Sequence, residues 1–169
     1  MLEFRKVRSD ADIGEVKTLI GEFWDFIAER YPERKTKVDE YLAEQNFDDQ
    51  LANFDKYFAP PFGECILALK DGRSIGILMM KAHDTDLCEM NRMFVRPEGR
   101  GAGVGRELCN ELISEAKKLG FKEMRLDAWD RHTEALPLYK SLGFKPEPED
   151  PNRDSLRICL RLNLQETEA

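Results

Sequence analysis

The 169-residue chain is predicted to adopt an α+β fold: a central, twisted mixed sheet of six to seven strands flanked by about four helices. Three observations carry this. Apolar residues recur at helical spacing up to Pro60-Pro61 and then switch to strand-like runs. An Asp71-Gly72 dipeptide joins two of those runs as a hairpin signal. A long amphipathic helix then stands between two further strands, which makes one crossover among hairpins and so mixes strand directions.

The elements follow in order. Residues 3–8 are short and strand-like. Val16, Leu19, Ile20, Phe23 and Ile27 define a first helix, capped by Ser9 or Asp10 and stopped near Pro32. Phe47, Leu51, Phe54 and Phe58 share one face of a second helical stretch that cannot pass Pro60-Pro61. Strands are expected over 64–69, 74–81 and 87–95, the last ended by Pro97. A helix over 104–119 carries Val104, Leu108, Leu112, Ile113, Ala116 and Leu119 on one side, and Gly120 closes it. A strand over 123–129, a short helix over 133–142 closed by Gly143, and closing strands at Phe144 and over 155–164 complete the order.

Composition narrows the functional classes. The length suits one domain over 1–169. The net charge of −7 argues against general nucleic-acid binding, which needs a basic surface. The longest apolar run, Ile75 to Met80, is far too short to span a bilayer, and no signal peptide precedes it. The four cysteines, Cys65, Cys88, Cys109 and Cys159, form no CxxC pair. They read as buried, reduced thiols of a cytoplasmic protein, not as a metal site or a disulfide frame. With His83 and His132 as the only histidines, no metal is expected.

Chemistry concentrates at Val95-Arg-Pro-Glu-Gly-Arg-Gly-Ala-Gly-Val-Gly-Arg106. Four glycines lie between a strand and a helix, with Arg96, Arg100 and Arg106 around them. Helix starts carry unpaired N–H groups and a partial positive charge, and glycine lets an anion approach them. This is a diphosphate cradle. A Walker A loop would need Gly-Lys-Ser/Thr, but Gly105 is followed by Arg106-Glu107. A dinucleotide fingerprint from Gly101 would need glycine where Arg106 stands.

The segment Arg100-Gly101-Ala102-Gly103-Val104-Gly105, after a strand ending in Val-x-Pro, closely resembles the acetyl-CoA loop of the GNAT superfamily of N-acetyltransferases. Downstream, Ala135-Leu-Pro-Leu-Tyr139-Lys-Ser-Leu-Gly143-Phe144 is similar to that superfamily's second motif. The two cover about 85–145, the expected cofactor-binding core, while the helices over about 9–58 fall on the acceptor side. Cys88 to Pro97 resembles a common bacterial-type branch. The resemblance implies acetyl-CoA as cosubstrate, held by Arg100 to Gly105 with Arg106 nearby. Met93, Phe94 and Val95 would pair with the pantetheine arm like an added strand, a backbone N–H there polarising the thioester carbonyl. Tyr139 would protonate the leaving thiolate, and Glu89, directly or through water, would take the amine's proton. His132 stands where the superfamily often has asparagine; it contacts the pantetheine arm or caps the helix. The acceptor is a small-molecule or peptide amine, attacked without an acyl-enzyme, and the superfamily often forms homodimers.

Each reading has a plainer rival. The glycines could form a structural turn, Tyr139 could be a core aromatic, and Glu89 could face solvent. Cys88 and Cys109 read as packing residues. A non-catalytic acyl-CoA-binding module or sensor is the competing function.

Overall fold

The computed structural model describes residues 1–34, 36, 39, 40, 43, 47–129, 134–148 and 157–165. Strand β1 (Leu2–Lys6) leads into α1 (Asp10–Arg30). Ser9 caps α1, its Oγ accepting from the Asp12 N–H at 3.1 Å. The expected stripe Val16, Leu19, Ile20, Phe23 and Ile27 is buried. The second helical stretch is divided into α2 (Phe47–Ala52) and α3 (Phe54–Tyr57). Asn53 stands between them at φ −118° and ψ 44°, outside helical dihedrals, and both its backbone N–H (3.1 Å) and its side-chain N–H (3.0 Å) donate to the Asp49 carbonyl. Phe47, Phe54 and Phe58 are nevertheless all buried.

Strands β2 (Gly63–Lys70) and β3 (Arg73–Ala82) form the expected hairpin. Asp71 (φ 50°) and Gly72 (φ 82°) are both left-handed, as a two-residue turn matched to strand twist requires. Then come β4 (Leu87–Val95), α4 (Val104–Lys118), β5 (Glu123–Trp129), α5 (Ala135–Ser141), β6 (Lys145–Pro146) and β7 (Arg157–Asn163). The sheet runs β1-β2-β3-β4-β5-β7-β6. Among the described residues only β4 and β5 pair in parallel, joined by the α4 crossover.

The sheet separates two cores. On one face α4 and α5 bury Val104, Leu108, Leu112, Tyr139 and Phe144 against Leu78, Met90 and Leu126. On the other, α1 to α3 bury Leu19, Ile27, Phe54 and Phe58 against Ile77, Met79 and Phe94. Each fully buried leucine or phenylalanine stabilises the fold by about 1.5–3 kcal/mol relative to exposure. Among the described residues no helix is long and apolar enough to cross a membrane.

One irregularity positions the site. Ile77 faces Phe94 while Met79 faces Asn91, so two steps along β3 span three along β4. The extra residue makes a bulge, with Arg92 at φ 54°. Beyond it β4 loses β5: their pairing covers only Leu87–Met90 against Glu123–Leu126. The sheet therefore opens at its centre, beside the glycine loop.

Candidate active site

β4 leaves the sheet through a short 3-10 turn, Pro97–Gly99, and enters α4 through Arg100 to Gly103. Arg96 anchors this exit. It donates to the Ser74 carbonyl at 2.7 Å and to Glu22 Oε1 of α1 at 2.9 Å, and its hydrogen bond holds the Glu22 carboxyl below the usual range. Of the three arginines around the loop, Arg96 is thus committed to the scaffold.

Gly101 (φ 85°) and Gly103 (φ 76°) are left-handed, and a Cβ at either would meet nothing within 4 Å. Backbone conformation, not crowding, calls for glycine there. Gly103 is the N-cap of α4 and offers no side-chain acceptor, so the first-turn N–H groups of α4 are not capped by it. Arg100 donates through Nε to the Val95 carbonyl at 2.9 Å and lies over the Phe26 ring at 5.3 Å. Arg106 reaches Ser141 Oγ of α5 at 2.9 Å.

A cleft of about 330 Å³ opens over this loop. Of the residues expected to hold a cofactor, Met93, Phe94, Val95, Arg100, Gly101, Gly103, Val104, Gly105 and Arg106 line it, together with Phe23, Phe26 and Leu138. Ala102 is exposed on the turn and does not line the cleft. His132 lies outside the described residues.

A second, smaller cavity of about 40 Å³ adjoins the cleft and shares Phe23 and Met93 with it. It occupies the split between β4 and β5, lined also by Trp24, Asn91, Arg92, Asp127 and Tyr139. Tyr139 is 7% exposed and meets Phe144 edge-on at 5.9 Å. Burial pushes its phenol well above the ordinary tyrosine range, so it is a neutral hydroxyl. Glu89 lines neither cavity. It stands two residues before Asn91 on the same side of β4, its Oε2 3.8 Å from Lys81 Nζ. Burial lowers the Lys81 pKa, partly opposed by Glu89.

Asn91, Arg92 and Asp127 were not singled out by sequence reasoning. Their one signal is the pair Asn91-Arg92, two polar residues in succession where a half-buried strand should alternate. All four cysteines are buried and none forms a disulfide. Burial pushes the Cys88 and Cys109 thiols up to about 12, in keeping with packing roles. Among the described residues no group of three or more His, Cys, Asp or Glu side chains could hold a metal ion.

A glycine-lined helix start beside a split parallel strand pair is a site suited to a diphosphate that carries an extended, amide-bearing arm. The model of the acetyltransferase (GNAT) family matches residues 22–144, and the chain belongs to that family. It is 38% identical over 140 residues to an uncharacterized N-acetyltransferase of Schizosaccharomyces pombe, covering 77% of this chain and 86% of that one. It is 31% identical over 97 residues to human N-acetylaspartate synthetase, covering 56% of this chain but only 32% of the synthetase. In fold it is similar to the PaiA N-acetyltransferase of Thermoplasma acidophilum, solved with coenzyme A (TM-score 0.74, 21% identity, 96% of this chain and 99% of that one). The protein is an N-acetyltransferase by family. Relatives come from fission yeast and from Escherichia coli, so the similarity reaches the family and does not assign a branch within it.

Proposed function

We propose that the enzyme moves an acetyl group from acetyl-CoA to a primary amine by direct attack. One observation carries the reading: the two cavities meet at Met93, one leading to the glycine loop and the other to Tyr139. The bared amides at the start of α4 suit a diphosphate, and the β4 edge that β5 abandons after Met90 suits the amides of a pantetheine arm. When bound, acetyl-CoA supplies an activated acyl carbon.

The roles of the chain's own residues follow. The β4 backbone at Met93 to Val95 orients the thioester and offers an N–H to its carbonyl oxygen. Tyr139 keeps its proton at physiological pH and gives it to the departing sulfur. Glu89, reaching past Asn91 through a water, accepts the proton the amine must lose. The nitrogen gains the bond to the acyl carbon as the carbon–sulfur bond breaks. Burial of the cysteine thiols supports a route without an acyl-enzyme, and their lack of disulfides supports a cytoplasmic location.

The test is release of free CoA from acetyl-CoA across a panel of primary amines, beside CoA titration by calorimetry. Amine-dependent release is expected. CoA binding with no release for any amine would leave a binding module instead.

A further inference from the structure

We propose that Asn91 positions the acceptor for attack: its side-chain oxygen accepts one N–H of the substrate nitrogen and turns the nitrogen's lone pair toward the thioester at Met93. This rests on the N-acetyltransferase reading above and adds to it the residue that aligns the acceptor.

Asn91 is a polar residue on a buried face. It stands in register with Met79 of β3, which is fully buried in the core under α1 to α3. Asn91 itself is 9% exposed, and among the described residues no donor reaches its Oδ1. A buried amide oxygen without a donor weakens a fold, whereas a leucine of nearly the same shape carries no such cost. Stability therefore does not account for asparagine at this position, and a ligand that brings an N–H does.

The place fits that ligand. The last β4–β5 pair is Met90 with Leu126, so Asn91 is the first β4 residue past the point where the strands part. The bulge of β4 follows at once. Asn91 lines the small cavity in the split, together with Trp24, Asp127 and Tyr139, and that cavity meets the glycine-loop cleft at Phe23 and Met93. Two positions along a strand span up to about 7 Å. A hydrogen bond of about 3 Å and an attack distance of about 3–3.5 Å together fill that span. A nitrogen held by Asn91 thus stands within reach of an acyl carbon oriented by the Met93 backbone, with the Tyr139 hydroxyl on the wall of the same cavity.

The chemistry needs this division of labour. An amide oxygen accepts hydrogen bonds but is not a base at neutral pH, so Asn91 aligns the nitrogen and takes no proton. The proton still leaves toward Glu89, the nitrogen–carbon bond forms as the carbon–sulfur bond breaks, and the sulfur takes the Tyr139 proton. Of the N–H bonds on the nitrogen, the one directed at Asn91 fixes its orientation while another is lost.

The experiment takes a primary amine that supports CoA release and compares Asn91→Leu, which removes the oxygen, with Asn91→Asp, which keeps one in the same place. Asn91→Leu should lower kcat/KM for the amine by about tenfold to a hundredfold. Its CoA Kd by calorimetry should stay that of the wild type, and its melting temperature should be equal or higher, because an unmet buried oxygen has gone. Asn91→Asp should recover part of the lost kcat/KM. Wild-type kcat/KM in Asn91→Leu would overturn the proposal. So would a lower melting temperature or failure to fold in that variant, which would make Asn91 a structural residue, and so would an Asn91→Asp enzyme no better than Asn91→Leu. Each of those results leaves the acetyltransferase reading intact; wild-type enzyme that releases no CoA with any amine would sink that reading instead.

Discussion

Gly103→Glu tests the diphosphate cradle against a matched control. Gly103 has φ 76° and Gly72, in the β2–β3 hairpin, has φ 82°, and a Cβ at either meets nothing within 4 Å. A side chain at either position therefore carries the same backbone cost, roughly 1–2 kcal/mol for a left-handed L-residue. At roughly 2–4 °C per kcal/mol for a chain of this size, both variants should melt several degrees lower and by similar amounts. Only Gly103→Glu adds a carboxylate where the proposed reading puts the phosphates. Two like unit charges about 4 Å apart at an effective dielectric of about 20 repel by about 4 kcal/mol, or about a thousandfold in affinity. Calorimetric titration with CoA reads the difference directly. Gly72→Glu should bind CoA like the wild type, and Gly103→Ala should fall between the two. A CoA Kd for Gly103→Glu equal to that of Gly72→Glu would refute the assignment of the loop.

Other predictions follow from the same geometry. Tyr139→Phe should lower kcat about tenfold to a hundredfold, because a thiol is already a fair leaving group, with CoA affinity unchanged; a drop in affinity alone would remove the acid role. Arg96→Ala should destabilise the fold by about 2 kcal/mol in urea titration, since it strips charged hydrogen bonds from Glu22 and the Ser74 carbonyl; an unchanged midpoint would contradict the anchoring role. Glu22 has its folded pKa depressed, so its contribution is present above the ordinary glutamate range and is lost as pH falls through the folded value. Stability of Glu22→Gln should accordingly depend less on pH on the acid side, and an identical acid profile would count against the pair. Native protein should react slowly with a thiol reagent and release four equivalents only in denaturant; rapid labelling of Cys88 or Cys109 would contradict their burial.

Much of this architecture is readable before any coordinates. Leu87–Val95 and Glu123–Trp129 coincide with the expected strands, and Val104–Lys118 differs by one residue from the expected helix, because period and punctuation agree there. Gly101 and Gly103 likewise declare a loop that only glycine forms easily. What escapes is what depends on partners distant in sequence. Arg96 looks like its neighbours Arg100 and Arg106, and only the position of Glu22, 74 residues earlier, commits it to the scaffold. Asn91 and Arg92 acquire meaning when a bulge turns them toward Trp24, and Asp127 joins them from a strand across the split. The division of the second helical stretch at Asn53 is a departure of one residue from helical dihedrals, which apolar spacing does not register.

The open centre of the sheet has a mechanical consequence. The ladder of β1 to β4 is tied to that of β5 to β7 by four residue pairs at one end, while the other end gapes. A ligand arm threaded into the gap would serve as the missing rungs and tie together two plates that those four pairs alone hydrogen-bond to each other. Amide hydrogen exchange at Leu126 to Ala128, remote from any phosphate, should then slow when CoA binds.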